Sequence, residues 1–276
     1  MRHAIATAGR MVVDNDWGGD PDGLVALAHH LLSPSDDVVG VTSSFLNPMF
    51  GPSEGTAEGG RELAAELLTR MAQAPLPLAA GADTGFDGSP RETPAARLIV
   101  DAAAQATPDA KLTVVCGGPL TNVADALRLA PDVVEQTRLL WVGGLLEGDG
   151  FEYNRDTDAG AATFVFAQPE LEVIRFPAET YRLLAISVAE LEERLTSSGE
   201  LGGWLWERYE QLPLPEGVAI DPVWPLGDSA PLAFTALRHA RTRTVPGSLP
   251  HERVCVDLDE RLIIEDLFAR LRLAAR

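Results

Sequence analysis

The residues of this chain best placed to do chemistry lie in one stretch, Val12-Val13-Asp14-Asn15-Asp16-Trp17-Gly18-Gly19-Asp20-Pro21-Asp22-Gly23. Carboxylates packed this closely repel one another, so solvent, backbone N–H donors or a bound cation must offset the repulsion. Helix grammar explains part of the pattern. Asp20 stands where an N-cap is expected, Pro21 at a first helical position where its missing N–H costs nothing, and Asp22 in a first turn favoured by the helix dipole. Capping leaves Asp14 and Asp16 unexplained. They close an apolar run that reads as a strand, and ligands of open α/β sheets bind at the carboxyl ends of strands. Carboxylates converging there suit a hard cation with oxygen ligands, calcium or magnesium. The EF-hand pattern does not fit, because its Gly and terminal Glu fall in the wrong places.

The elements that must position this loop follow from hydrophobic runs. Met11–Asp14, Val38–Thr42, Leu112–Cys116, Leu139–Val142 and Leu171–Phe176 read as buried strands. Between them, stretches beginning at Pro21, Glu58, Thr93 and Pro119 carry helical spacing with polar faces, and a strand-then-helix pair closes the chain. This alternation predicts an α/β fold, a mostly parallel central sheet flanked by helices on both faces. Three stretches rich in Gly, Pro and Ser read as loops: 47–56, 83–94 and 244–252. Nothing forces a boundary, so residues 1–276 are expected to form a single domain, with helical cap elements around 188–225.

The chain of 276 residues is 46% hydrophobic and can bury a sizeable core. A formal charge of −19 argues against a nucleic-acid polymer or an anionic membrane as partner. Its two cysteines show no metal-ligand or redox spacing. The N-terminal residues lack a long apolar segment, and a cytoplasmic location is the expectation.

Several motifs, in one order, resemble those of the calcium-dependent nucleoside hydrolases of the inosine–uridine-preferring type. Asp14-Asn15-Asp16-Trp17-Gly18-Gly19-Asp20-Pro21-Asp22 resembles the family's Asp-x-Asp-x-Gly-x-Asp-Asp. A segment ending in Asn47, an apolar strand leading into Gly81-Ala82-Asp83, and Gly118-Pro119-Leu120-Thr121-Asn122 follow. Glu152-Tyr153-Asn154 is similar to Glu-Phe-Asn, and Gly227-Asp228-Ser229-Ala230 stands where the family has His-Asp-Pro-x. The resemblance covers nearly the whole chain.

It implies hydrolysis of the N-glycosidic bond of a ribonucleoside, with calcium holding a water. Asp16 would be the general base and a calcium ligand. The carbonyl of Gly117, Asp228 and Asp22 would complete the metal shell. Asp20, beside the water and the ribose 2'-hydroxyl, would bind substrate with Asn47, Glu152, Asn154 and Asp228, while Asp14 would support the loop from behind. Related enzymes are homodimers or homotetramers. The chemistry asks for such a set, because an oxocarbenium-like ribosyl cation is stabilised by nearby carboxylates, and a carboxylate beside the water takes its proton.

Two departures stand out. Pro21 replaces the family's second consecutive Asp, and Asp22, one residue on along a helix, would point about 100° away unless the turn is rearranged. Gly227 replaces the His that protonates the leaving base in purine-preferring members. Tyr153, Glu179, Tyr181 and Trp224 lie in segments that could border the base. A catalytically silent nucleoside- or sugar-binding homologue is the alternative. A haloacid-dehalogenase-like phosphatase also places Asp-x-Asp after a first strand, but it needs a later Lys, and Lys111, the only lysine, begins a strand.

Overall fold

The computed structural model describes residues 4–212 and 220–276. The five apolar runs fall in β1 (Gly9–Asn15), β2 (Asp36–Ser43), β4 (Leu112–Cys116), β5 (Thr137–Val142) and β6 (Glu172–Phe176). With β3 (Leu78–Ala80), β9 (Thr242–Pro246) and β10 (Glu252–Leu258), they form an eight-stranded sheet in the order β3-β2-β1-β4-β5-β6-β10-β9. Every pair is parallel except β10 with β9. Two short strands, β7 (Ala185–Ser187) and β8 (Val223–Pro225), pair apart from it as an antiparallel ribbon.

Strand side chains alternate between faces, so a strand covered on both sides reads as a continuous apolar run. In β1, Met11 and Val13 enter one core with Val115, Leu140, Val142, Ile174 and Phe176, while Val12 enters the other with Val114, Leu139, Trp141 and Val173. The first core is closed by α1 (Asp22–Leu31), α2 (Thr56–Arg70), α8 (Val188–Thr196), α9 (Gly199–Glu210) and α10 (Glu260–Ala274). The second is closed by α3 (Pro94–Ala103), α4 (Thr121–Leu129) and α6 (Ala159–Phe166). Two short helices, α5 (Tyr153–Thr157) and α7 (Ala178–Tyr181), follow the carboxyl ends of β5 and β6. The layered α/β architecture is the one expected.

Asp228 lies in a 3-10 helix, Gly227–Phe234, in which Pro231 has no N–H for an i→i−4 bond. One local expectation is corrected. The stretch read as a loop at 244–252 begins in β9, an edge strand in which Pro246, at the last position, does not interrupt the ladder. The span expected to hold cap elements contains α8, α9 and β8, and its residues 213–219 lie outside the described ones.

Candidate active site

The chain leaves β1 for β2 and β3 on one side and returns through β4 on the other, so the order reverses between β1 and β4. Flanking loops must diverge there, which opens a crevice at the carboxyl ends of both strands. The acidic loop follows β1, and Gly117 follows β4. Over them lies a pocket of about 410 Å³, lined by Asp16, Asp20, Asp22, Gly117, Glu152, Tyr153, Asn154, Tyr181, Gly227 and Asp228, with Leu46, Phe50 and Leu212 among its apolar walls.

The loop hangs from the core by Trp17. Its indole is buried among the side chains of the first core, and its Nε1–H donates to the Thr42 carbonyl at 2.9 Å. Gly19 N–H donates to Asp16 O at 2.7 Å, which closes the turn. Asn15 is the residue that sequence reasoning missed. Its Oδ1 accepts from Asp16 N–H at 2.8 Å and its Nδ2 donates to Asp228 Oδ2 at 2.7 Å, so one amide joins the first loop to a segment 213 residues later. The signal was there, because an amide set between two carboxylates can donate to one partner while accepting from another. Close approach needs glycine at two places. A Cβ on Gly23 or on Gly117 would stand 2.6 Å from Asn15 Nδ2.

Asp14 lies beneath the pocket, fully buried, and accepts from Thr42 Oγ1 at 2.6 Å and Asn122 Nδ2 at 2.7 Å through one oxygen, and from Cys116 Sγ at 3.3 Å through the other. Burial pushes its carboxyl up to about 6, against the pull of those three donors. Asp14 thus ties β1, β2, β4 and α4 together from behind the site. The other post-strand carboxylate, Asp16, faces the pocket. Burial raises its pKa well above the ordinary value, with the charges of Asp20 and Asp228 adding to the shift. Tyr153 Oη donates to Asp16 Oδ2 at 3.0 Å and accepts from Asn47 N–H at 3.2 Å.

Asp20, Asp22 and Asp228 bring one oxygen each within 4.8 Å of one another. The expected cap at Asp20 is not formed, for α1 begins at Asp22 with Pro21 before it and no side-chain capping bond. Asp20 precedes the helix, so helical spacing does not separate its side chain from that of Asp22, and the two converge. Asp22 Oδ2 also accepts from Asp228 N–H at 3.1 Å. Burial first, then like charge, raises the pKa of Asp22 well above the ordinary range and that of Asp228 to about 8. These three carboxylates, all hard oxygen donors, could hold a metal ion and fit calcium or magnesium better than a soft metal.

Glu152 caps α5. Its carboxylate accepts from Arg155 N–H at 2.9 Å and Gly144 N–H at 2.6 Å, with longer contacts from Asn154 N–H at 3.4 Å and Tyr181 Oη at 3.3 Å. Asn154 Nδ2 donates to the carbonyls of Gly117 at 2.7 Å and Val142 at 2.9 Å. Its Oδ1 is buried without a hydrogen-bond partner among the described residues, although the residue lines the pocket. Asn47 is placed differently. It borders the site through its backbone, while its side chain bonds Thr157 Oγ1 at 3.0 Å and Met49 N–H at 2.9 Å and is not among the lining groups. Of the four residues expected near a base, Tyr153 and Tyr181 line the pocket. Glu179 accepts from Leu146 N–H, and Trp224 packs edge-on against Tyr209.

A sequence profile described as inosine-uridine preferring nucleoside hydrolase matches residues 11–258. No curated protein matches the chain. Solved structures do. An inosine-uridine preferring nucleoside hydrolase from Bacillus anthracis superposes with a TM-score of 0.71 at 18% identity, over 96% of this chain and 99% of its own. A plant nucleoside hydrolase gives 0.74 at 18% identity, and a purine-preferring ribonucleoside hydrolase from Gardnerella vaginalis 0.68 at 17%, each over 96% of this chain and 99% of its own.

Proposed function

The chain belongs to the inosine-uridine preferring nucleoside hydrolase family, enzymes that act on N-glycosyl compounds, and from that premise we propose that it hydrolyses the N-glycosidic bond of ribonucleosides to free base and ribose. One observation carries the reading. A single pocket joins the buried carboxylate of Asp16, three further carboxylates that could hold a cation, and a buried acceptor without a partner among the described residues, Asn154 Oδ1.

Asp16 would take the proton of the attacking water. Tyr153 occupies one of its oxygens and fixes the carboxylate's orientation, leaving the other for that proton. Asp20, Asp22 and Asp228, with Asp16 and the Gly117 carbonyl beside them, would hold calcium, which when bound supplies a grip on a cis-diol and makes a water more acidic. Asn154 would accept from a ribose hydroxyl, and Glu152, held rigid by its donors, would take another. Asn47 supports the site through the N–H it gives to Tyr153. The five pocket carboxylates would together stabilise positive charge developing on the sugar. The same resemblance extends the proposal to a cytoplasmic homodimer or homotetramer in nucleoside salvage. No helix among the described residues is long and apolar enough to cross a membrane.

The test is release of ribose from purine and pyrimidine ribonucleosides and from p-nitrophenyl riboside, with and without a calcium chelator. Turnover should require the metal, and Asp16→Asn should lower kcat by about a hundredfold to ten-thousandfold. Measurable nucleoside binding with no turnover of any riboside would instead favour a silent binder.

A further inference from the structure

Beyond its carboxylates, the pocket wall offers no uncommitted proton donor among the described residues. Among the described residues, no histidine, lysine, arginine or cysteine lines the pocket. Two phenols remain, and both hydroxyls are committed: Tyr153 donates to Asp16 and Tyr181 to Glu152. Glu152 accepts from three backbone N–H groups and one hydroxyl, so both of its oxygens are already engaged. The place of the missing histidine is also filled. A Cβ on Gly227 would stand 2.9 Å from Tyr181 Cδ2, so the Tyr181 ring occupies the space through which a side chain at 227 would project.

A neutral base leaves the sugar as an anion and calls for an acid. A positively charged heteroaromatic base does not. When its C1'–N bond breaks, the bonding pair neutralises the ring cation, the water oxygen bonds to C1', and the water proton passes to Asp16. No further proton is needed. The pocket also suits such a ring electrostatically. Its five carboxylates outnumber the charge of one divalent ion, and the rings of Phe50 and Tyr153, tilted against each other with centroids 5.6 Å apart, belong to its lining. Aromatic faces attract cations within about 6 Å of their centroids.

We propose that this site is specific for N-ribosides whose heteroaromatic base carries a positive charge, such as N-ribosylpyridinium or N7-alkylated purine ribosides. The inference rests on the hydrolase reading and narrows its substrate class.

The experiment compares matched pairs with the metal-loaded full chain: 7-methylguanosine against guanosine, and nicotinamide riboside against uridine. p-Nitrophenyl riboside serves as the activated uncharged control. The expected result is a kcat/KM at least a hundredfold higher for each cationic member, with the excess surviving division by the ratio of spontaneous hydrolysis rates. Guanosine or uridine turned over within tenfold of its cationic partner would overturn the inference, as would cleavage of p-nitrophenyl riboside with neither cationic riboside cleaved. In both of those cases the hydrolase reading stands. No cleavage of any riboside, the activated control included, defeats the hydrolase reading itself and the inference with it.

Discussion

Asp228→Asn should make the metal-free protein more stable while removing its activity. In the folded chain Asp228 is buried beside Asp20 and Asp22, and its pKa rises from the ordinary 3.8 to about 8. A carboxyl whose folded pKa is raised contributes stability that is complete below the unfolded pKa and is lost as pH climbs through the folded one, here a window from 3.8 to about 8. At pH 7, holding the proton against an unfolded chain that releases it amounts to about 4 kcal/mol against folding, at about 1.4 kcal/mol per pH unit. Asparagine is nearly isosteric. Its Oδ1 can still accept from Asn15 Nδ2, and its amide can donate to Asp20 or Asp22 where the carboxylate repels. Allowing for relaxation and water entry, the gain should be roughly 2–4 kcal/mol at pH 7, or about 5–10 °C in Tm for a chain of this size. Urea or thermal denaturation in chelator at pH 4, 5.5, 7 and 8 reads it directly. The gain should be absent at pH 4 and grow to pH 8, while added calcium stabilises the wild type and not the variant. A variant no more stable than wild type at pH 8, or a gain independent of pH, would refute the reasoning that the three carboxylates strain the metal-free fold.

Thr42→Val keeps the shape of the side chain but removes the shortest donor to Asp14, and it should cost about 1–3 kcal/mol in urea denaturation. Because that donor favours the charged carboxyl, the loss should be greater above pH 6 than at pH 4. Gly227→His should not create a purine hydrolase. Its Cβ meets the Tyr181 ring, so the variant should lose about 1–3 kcal/mol of stability by thermal denaturation, with partial recovery in Gly227→His/Tyr181→Ala. A single variant as stable as wild type would show that the ring moves freely.

The runs of β1, β4, β5 and β6 were legible because each is buried on both faces, leaving no polar alternation to confuse with a helix. Strand order was not legible, since nothing local in β4 says that it lies beside β1 rather than β3. The site was readable as a set of residue types, and its geometry was not. Helical spacing would turn Asp22 about 100° from the direction of a side chain at position 21, yet the helix starts only at Asp22, and its carboxylate joins those of Asp20 and Asp228. The cap expected of Asp20 failed for the same reason. Tyr153 could be named as a pocket residue, but its bond to Asp16 depends on a chain reversal that brings residue 153 to residue 16. Asn47 shows the converse. Its position in the motif matched, while its side chain turned to Thr157 and left only its N–H for the site.

The bond from Asp228 N–H to Asp22 spans 206 residues of chain, and that span has a meaning in time. A ribosome adding about 5–20 residues per second needs roughly 10–40 s to travel it. Throughout that interval the nascent chain already carries Asp14, Asp16, Asp20 and Asp22 without the group that completes their cluster. A half-built site of this kind lacks Asp228 and the Asn15 clasp together, so it offers a cation only a loose, hydrated acidic loop. Capture of an ion by the cluster would thereby be deferred until β10 and α10 are about to close the first core, so that assembly of the site coincides with completion of the fold.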